Sequence, residues 1–585
     1  MKASDYIVSY LHEQGTNVVF GYIGGMITHL VDSLGQSTDV KYIQTYHEQT
    51  ASIAAEGYAL GTGKLGCAIS TSGPGATNMM TGIADAYFDS IPVLYITGQV
   101  NSYEFKYDKP IRQQGFQETD VVDIVKPITK YAALVDNAEN LRYELEKAAY
   151  IAIHGRKGPV LLDITMDVQR TEIDPSSLRK YYPVDTPSYS DVEIHNAIDV
   201  LKSAKRPVVL IGGGCIDSNI KENLESFLFN NNIPVITSLM GRGAVDETYT
   251  YYVGMVGSYG NRCANIVISQ ADVLLVLGSR LDTRQTGAKI DSFLTEGKIV
   301  HVDIDENELK YHRIKNQIHV NMPVADFLSI LRHEHVRIHP EEDWLEYVLK
   351  TKSNYSQDQE IARFVENKSP YKFMQALNDI IKEGDIVTTD VGQNQMWAAQ
   401  TLKLKKGMKY LTSGGLAPMG YSMPAAIGIS FADKQYKGTI YSLCGDGGFH
   451  MSTQSLGVIS QYHLPIKVIV LNNSTLGMIT QFQHLYFEDR MTGTTSEGGY
   501  KIPNIKDIAS AYSLRYALIT ENDLEDQNRL RKMIADADLI EYRINGLTTV
   551  CPKLEYNKPI EKPIPLLPEE EQEMAMYREN DASKI

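Results

Sequence analysis

The chain is poor in most features that would send its function elsewhere. Its 585 residues hold five cysteines, Cys67, Cys215, Cys263, Cys444 and Cys551, scattered and without a CxxC pair. Neither a disulfide framework nor a zinc site follows from that spacing, and a reducing cytoplasm is the expected home. No apolar run reaches the ~18–20 residues that a membrane-spanning helix needs, so no membrane partner is expected. The opening MKASDYIVSYLHEQG carries charge throughout and reads as an amphipathic helix, not the apolar core of a signal peptide. Positive charge is in deficit: 56 Lys and Arg against 72 Asp and Glu leave a net charge of −16. That balance argues against a nucleic-acid partner, because little is left to neutralise a phosphate footprint. There is also no low-complexity tract and no exact internal repeat. Composition is that of an ordinary globular protein, and the length exceeds what one core organises, so about three or four units are expected.

What is present is a texture repeated three times: short β-branched runs that end in glycine or serine, alternating with helical patterns. This predicts an α/β fold of three doubly wound parallel-sheet domains. The first spans 1–175, with strands in NVVFGYIGG, KLGCAISTSGPG, PVLYITGQV and PVLLDIT. A polar linker, TEIDPSSLRKYYPVDTPSYS, leads to a second domain over 190–335, carrying PVVLIGGGC, PVITSLM, ADVLLVLGSR and KIVHVDID. A polar connecting segment then leads to a third over 365–550, carrying GDIVTTDVGQNQ, KYLTSGG, TIYSLCGDGG and IKVIVLNN. The proline-rich, acidic remainder, 551–585, reads as an extended surface arm that frays at its end.

The most telling segment is CGDGGFHMSTQSLGVISQYHLPIKVIVLNN, a strand, glycine turn, helix and second strand ending in paired asparagines. Such a unit returns Asn473 beside Asp446, at the carboxyl ends of neighbouring parallel strands. A carboxylate, an amide and a free carbonyl gathered there suit a hard divalent cation that bridges phosphates. A helix beginning near Phe449 would point its N-terminus at the same anion. A GDG turn alone is commonplace; it is the strand–helix–strand setting that makes this one a candidate magnesium–diphosphate cradle. In the first domain, TYHEQTASIAAEGYALGTG puts Glu48 at the start of a helix. A first-turn glutamate that favours the helix dipole is the ordinary reading. A carboxylate in mostly apolar surroundings that shares a proton with a ring nitrogen is the functional one.

Taken together, GYIGGM, YHEQTASIAAEGYA, STSGPGATNMMTGIADAYFDSIPVLYITGQV, LGSRLDTRQTGAK, TTDVGQNQMWAAQ, TSGGLAPMGYSMPAAIG, GDGGFHMSTQSL and VLNNSTLGMITQFQ resemble thiamine diphosphate enzymes of the acetohydroxyacid (acetolactate) synthase group. The resemblance runs from residue 1 to about residue 555. It implies that Glu48 hydrogen-bonds the aminopyrimidine ring and promotes its imino tautomer. Asp446, Asn473 and the Thr475 carbonyl are implied as Mg²⁺ ligands. Gln393, Asn394, Gly445, Gly447, Gly448, Gly477 and Met478 are implied to line the diphosphate, and Met419 to support the bent cofactor. Gly25 would lie near the cofactor's amino group, Phe116 and Gln117 would face substrate, and Arg284 would meet the acceptor's carboxylate. In the middle domain Gly213, Gly214, Leu239, Met240, Gly257, Ser258, Gly278, Arg280, Asp282, Arg284, Asp303 and Ile304, with Arg156 of the first, fall on flavin contacts. FAD without net redox chemistry is favoured there over an empty domain.

The same resemblance implies decarboxylation of a 2-oxo acid, pyruvate, and carboligation to an acceptor. It implies a homodimer or homotetramer whose sites lie between subunits, with a small regulatory subunit open. The alternatives are a carboligase that uses a ketosugar nucleotide, a simple decarboxylase, and a silent regulatory subunit. Several positions depart from the group's pattern. Asn394 stands for a histidine and Gly448 for a serine; Met166 replaces a lysine and Phe482 a tryptophan. The loop 101–115, NSYEFKYDKPIRQQG, is longer than usual and carries Lys106, Lys109 and Arg112, which read either as a solvated loop or as a lid for an anionic acceptor.

Overall fold

The structure, a computed structural model, describes residues 1–183, 189–216, 218–315, 317–433 and 435–578. The middle of the 171–190 linker and the end of the arm, where fraying is expected, lie outside the described residues. Three six-stranded sheets carry the chain. The first contains β1 (Val18–Gly21), β2 (Lys41–Gln44), β3 (Gly66–Ser70), β4 (Val93–Gln99), β5 (Tyr131–Val135) and β6 (Val160–Thr165). The second contains β7 (Pro207–Ile211), β8 (Val235–Thr237), β9 (Tyr252–Met255), β10 (Val273–Leu277), β11 (Lys298–Asp303) and β12 (Gln317–Asn321). The third contains β13 (Ile386–Thr389), β14 (Lys409–Leu411), β15 (Ile440–Gly445), β16 (Ile466–Asn472), β17 (Tyr516–Ile519) and β18 (Leu539–Arg543).

Every pairing in the three sheets is parallel, which helices on both faces require. The central strands are accordingly apolar at nearly every residue: β4, β7 and β10 are buried throughout. The first sheet runs β2-β1-β3-β4-β6-β5 and the third β14-β13-β15-β16-β18-β17, so the two share one order. The middle sheet runs β12-β11-β10-β7-β8-β9. Counted from its own first strand, that is 3-2-1-4-5-6, the order that opens a crevice between its first and fourth strands.

The first and third units share a core through two small-residue helices, Glu48–Thr62 and Ser422–Ser430. A Cβ on Gly57 would lie 2.2 Å from the Ala425 carbonyl oxygen, and one on Gly428 1.9 Å from that of Ala54. Only glycine permits helices to touch backbone to backbone in this way. Beside the crossing, Glu56 is fully buried with both carboxyl oxygens unpartnered. It faces Asp85, which accepts from the Ser413 hydroxyl at 2.6 Å, and Asp89, which accepts from the amides of Gly414 and Gly415. Burial, reinforced by the neighbouring acids, pushes Glu56 well above the ordinary carboxylate range, and Asp85 and Asp89 rise for the same first reason.

These groups therefore hold protons in the folded chain that the unfolded chain has released above about pH 4–5. The native state binds more protons, so stability falls as pH climbs from the ordinary carboxylate range through the raised native values, by up to about 1.4 kcal/mol per pH unit per group. Glu56→Gln removes one such proton and should reduce the loss of thermal midpoint between pH 5 and pH 8. An identical loss in wild type and variant would count against this account.

Buried arginines lock the middle unit to the third unit, the segment before it and the arm. Arg242 pairs with Glu247 at 2.6 Å and caps the helix Gln393–Thr401 through the carbonyls of Ala398, Ala399 and Leu402. Arg262 pairs with Glu360 at 2.7 Å and reaches the carbonyls of Pro563 and Pro565 in the arm. The arm is thus more than a surface strap. It buries Ile560, Leu567 and Ala575, carries a helix at Glu569–Met574, and sets Tyr577 against Trp344. Apolar residues spaced among its prolines and acids explain the difference from the extended segment expected.

Candidate functional site

The parallel register of β15 and β16 aligns Gly445 with Leu471, which sets Asp446 beside the two asparagines that follow. The helix after β15 starts at Asp446 itself, three residues before the start expected near Phe449, because Gly445 is still extended and serves as its N-cap. Asp446 is 2% exposed. Its Oδ1 accepts from the Tyr500 hydroxyl at 2.7 Å, and the amides of Ser474, Gly447 and Thr475 face the carboxylate. Its Oδ2 has no hydrogen-bond partner. Burial pushes its pKa up to about 6. A dry carboxylate oxygen without a partner is costly, and a hard cation is the partner that suits it.

Asn473 donates its amide to Thr548 Oγ1 at 2.8 Å, so its Oδ1 meets only a long contact, 3.3 Å, from the Thr475 amide. The Thr475 carbonyl accepts from Gly477 at 2.9 Å and keeps a second lone pair. Among the described residues no group of three His, Cys, Asp or Glu is placed to hold a metal. The cradle therefore offers one carboxylate with amide and carbonyl oxygens, a donor set that fits Mg²⁺ completed by phosphate oxygens. Behind it, Gln393 accepts from Thr548 Oγ1 at 2.6 Å and donates to the Thr548 carbonyl at 2.9 Å. Its side chain is thus committed to holding the amide of Asn473 in place.

Asn394 turns inward, donating to the Asp390 carbonyl at 2.8 Å, so what it offers a diphosphate is its backbone amide at a helix start. Asp390 is fully buried and accepts from the amides of Gly420 and Ser422 at 2.8 and 3.0 Å. Burial raises its pKa to about 6. A Cβ at Gly448 would stand 2.3 Å from this carboxylate, which is the local consequence of glycine in place of serine. A Cβ at Gly447 would stand 2.9 Å from Met419 Cε. Met419 thus packs on the same turn as the metal cradle, with Met478 half-buried on the following helix.

At the carboxyl edge of the first sheet, Glu48 opens its helix behind the N-cap His47, whose ring accepts from the Gln49 amide. It is 8% exposed and accepts from Asn78 Nδ2 at 3.0 Å, while Gly75 leaves room for its other oxygen. Gly25 is exposed in a 3-10 turn held by the Met26 amide on Thr71 Oγ1. Phe116 stands out into solvent, and Gln117, in the left-handed region at φ 62°, lies against the Gly73 turn. Among the described residues no hydrogen bond or ion pair joins the Glu48 group to the Asp446 group.

In the middle unit the switch point of the sheet falls between β7 and β10, and there the Gly214 amide donates to the Gly278 carbonyl at 2.9 Å. The two backbones touch, with Gly214 lying 2.8 Å from a Cβ built on Gly278 at φ 55°. Gly213, Leu239 and Met240 form the adjoining turns. Gly257 and Ser258 follow β9, and the Ser258 amide donates to the Arg284 carbonyl at 2.7 Å. Asp282 caps the short helix that carries Arg284, and Arg280 reaches Asp282 at 3.6 Å. Asp303 ends β11, and the exposed Ile304 follows it. Arg156 is taken up by Glu308 and Asp305, at 2.7 and 3.2 Å, and ties the first unit to the second.

Family profiles cover all three units: "Thiamine pyrophosphate enzyme, N-terminal TPP binding domain" matches residues 1–124, the central domain 194–331, and the C-terminal TPP binding domain 390–541. Among the relatives, a probable acetolactate synthase large subunit of Methanocaldococcus jannaschii is 38% identical over 91% of this chain and 90% of its own. The acetolactate synthase isozyme 2 large subunit of Escherichia coli K12 is 36% identical over 89% and 92%, and the isozyme 1 large subunit 35% over 94% and 95%. The chain belongs to the thiamine pyrophosphate enzyme family.

As a member, it carries its cofactor-binding domains in the first and third units, where Glu48 and Asp446 stand. Of the positions that depart from the group's pattern, Asn394 and Gly448 stand at the cradle beside Asp390, and Met166 lies next to the 101–115 loop. Met166 starts a short helix whose next residue, Asp167, holds Ser102 by two hydrogen bonds and so anchors the 101–115 loop. That loop is organised around buried Glu118, which accepts from the amides of Lys106, Gln114 and Gly115. Lys106 is paired with Asp120 at 2.6 Å and Lys109 donates to Gln114, so Arg112 is the loop cation left to solvent among the described residues. Sequence patterns passed over Asn78, Tyr500 and Thr548. The first sits in the GPGATN turn, where its amide was a usable signal; the other two lie far along the chain.

Proposed function

We propose that this enzyme decarboxylates pyruvate and joins the two-carbon unit to an acceptor 2-oxo acid, as an acetolactate synthase does. The observation that carries the reading is kinship with acetolactate synthase large subunits along nine-tenths of the chain, with Glu48 intact. Thiamine diphosphate, when bound, supplies the electron sink that no side chain offers. The protein's part is to hold it and move protons. Asp446, Asn473 and the Thr475 carbonyl would hold Mg²⁺; Gln393, Asn394, Gly445, Gly447, Gly448, Gly477 and Met478 would line the diphosphate over Met419. Glu48 would exchange a proton with the ring nitrogen, with Gly25 beside the amino group. Phe116 and Gln117 would face the donor, and Arg284 the acceptor's carboxylate. The glycine contact at the β7–β10 switch point supports FAD as a structural, non-redox group there.

Exposed apolar side chains flank both half-sites, Tyr22, Ile23 and Phe116 on one and Ile479 and Phe482 on the other. They support a homodimer in which Glu48 of one subunit completes the cradle of the next. A homotetramer and a small regulatory subunit are in keeping with relatives called large subunits. The absence of any helix long and apolar enough to cross a membrane, among the described residues, is in keeping with a cytoplasmic enzyme. The test is incubation with pyruvate, Mg²⁺ and thiamine diphosphate, following carbon dioxide and products by mass spectrometry. Acetolactate should accumulate; carbon dioxide release that requires an added ketosugar nucleotide, or that yields only an aldehyde, would overturn the assignment.

A further inference from the structure

The segment from Ser413 to Ser422 carries Met419 and is held at both ends by carboxylates. At its far end the buried Asp390 accepts the amides of Gly420 and Ser422, one on each oxygen. At its near end Asp89, from the first unit, does the same. It takes the Gly415 amide on Oδ1 at 2.7 Å and the Gly414 amide on Oδ2 at 3.0 Å. Beside it the Ser413 hydroxyl donates to Asp85 Oδ1 at 2.6 Å and accepts from the Ala417 amide at 3.1 Å. Gln395 donates to the Ser413 carbonyl at 2.8 Å. The turn is also wedged sterically: a Cβ on Gly414 would stand 2.6 Å from Met240 Sδ, and one on Gly415 2.5 Å from Phe88 Cβ.

Asp89 caps the carboxyl end of the helix Met80–Phe88, where an acid meets the negative end of the helix dipole. Asp85, one turn earlier, repels it further. On its own helix the residue is therefore unfavourable, and what it gains is two main-chain amides of the third unit. Between the two clamps the segment is open. Leu416 is 39% exposed, and Ala417 lies in the left-handed region at φ 61°, which disfavours any residue with a Cβ. The Ser413 hydroxyl holds that conformation through the Ala417 amide, two residues before Met419. We propose that Asp89 and Ser413 are positioning residues that fix Met419 as the support of the bent cofactor. This rests on reading Met419 as that support. The first unit thereby sets the third unit's cofactor wall from within one chain.

The experiment measures turnover of pyruvate at saturating Mg²⁺ and thiamine diphosphate, with cofactor affinity read by calorimetric titration into the full chain. Asp89→Asn leaves one oxygen for two amides and should lower kcat about tenfold or more, since about 1 Å of misplacement can cost about 10²-fold. Ser413→Ala should act alike. Affinity for the cofactor with Mg²⁺ should change by less than about threefold, because the Asp446 cradle is untouched. Asp85→Ala should lower kcat as Ser413→Ala does, and Asp85→Asn, whose oxygen can take the hydroxyl, should restore most of it. An unchanged kcat, or affinity and thermal midpoint falling in step with it, overturns the proposal in favour of a role in folding alone. Wild-type kcat in Met419→Ala, or no carbon dioxide from the wild-type enzyme, would instead count against the functional reading. Hydrogen exchange then decides: faster exchange of the 414–417 amides in Asp89→Asn supports the clamp, and unchanged exchange sinks it.

Discussion

Glu48→Gln should lower carbon dioxide release from pyruvate by about 10²–10⁴-fold, the range lost with a positioned acid–base group, while thiamine diphosphate stays bound. The substitution is conservative where it needs to be. Glu48 accepts from Asn78 Nδ2 at 3.0 Å, and a glutamine carbonyl can accept the same bond. The helix start is held independently by His47, whose ring takes the Gln49 amide. What the variant loses is the carboxylate's capacity to take up and return a proton at the cofactor's ring. Steady-state rates and cofactor-induced thermal shifts, measured on the same preparation, separate the two effects. Full activity in the variant would falsify the role given to Glu48.

Asp446→Asn should show the opposite pattern, with cofactor retention lost before any question of chemistry arises. Among the described residues Asp446 is the one carboxylate in the candidate metal-ligand set, and its Oδ2 lacks a partner. Removing it leaves the cation without its fixed counter-charge, a loss of about 3–5 kcal/mol, or roughly 10²–10⁴ in affinity. The cofactor-free protein should be as stable as wild type or more so, because burial already penalises the ionised carboxylate there. The sign follows from the raised pKa: the native state holds this proton more tightly than the unfolded chain. In the absence of metal, stability therefore declines as pH rises from the ordinary aspartate range through about 6. Thermal midpoints with and without Mg²⁺ and thiamine diphosphate report both effects. If the sites lie between subunits, mixing the Glu48 and Asp446 variants should recover activity that neither has alone, since a mixed dimer carries one intact pair. A midpoint shift by cofactor equal to that of wild type would remove Asp446 from the metal site.

The positions of Asp446 and Asn473 were legible because both belong to one strand–helix–strand unit whose geometry is local. The glycine at 445 and the apolar β16 fix where the chain turns and where it returns. Whether the 101–115 loop with Lys106, Lys109 and Arg112 is a solvated loop or a lid was less legible, because charge in a loop does not reveal which side chains will claim it. Asp120 and Gln114 claim those two. The arm was misjudged for a similar reason, since Ile560 and Leu567 lie among prolines and acids that mask a buried face.

By itself the sequence determined that the protein is three parallel α/β units with glycine turns at the strands' carboxyl ends, and which family those turns belong to. The first follows from periodicity and spacing within some 30 residues, where backbone preference and hydrophobic pattern act directly; the second follows from the resemblance of its ordered motifs, from residue 1 to about residue 555, to known enzymes. Only the tertiary structure decided what surrounds the reactive groups. Tyr500 on Asp446, Thr548 on Asn473 and Ser413 on Asp85 are all examples. Each joins residues far apart in the chain, and their meeting depends on how whole sheets and helices pack, which no local pattern encodes.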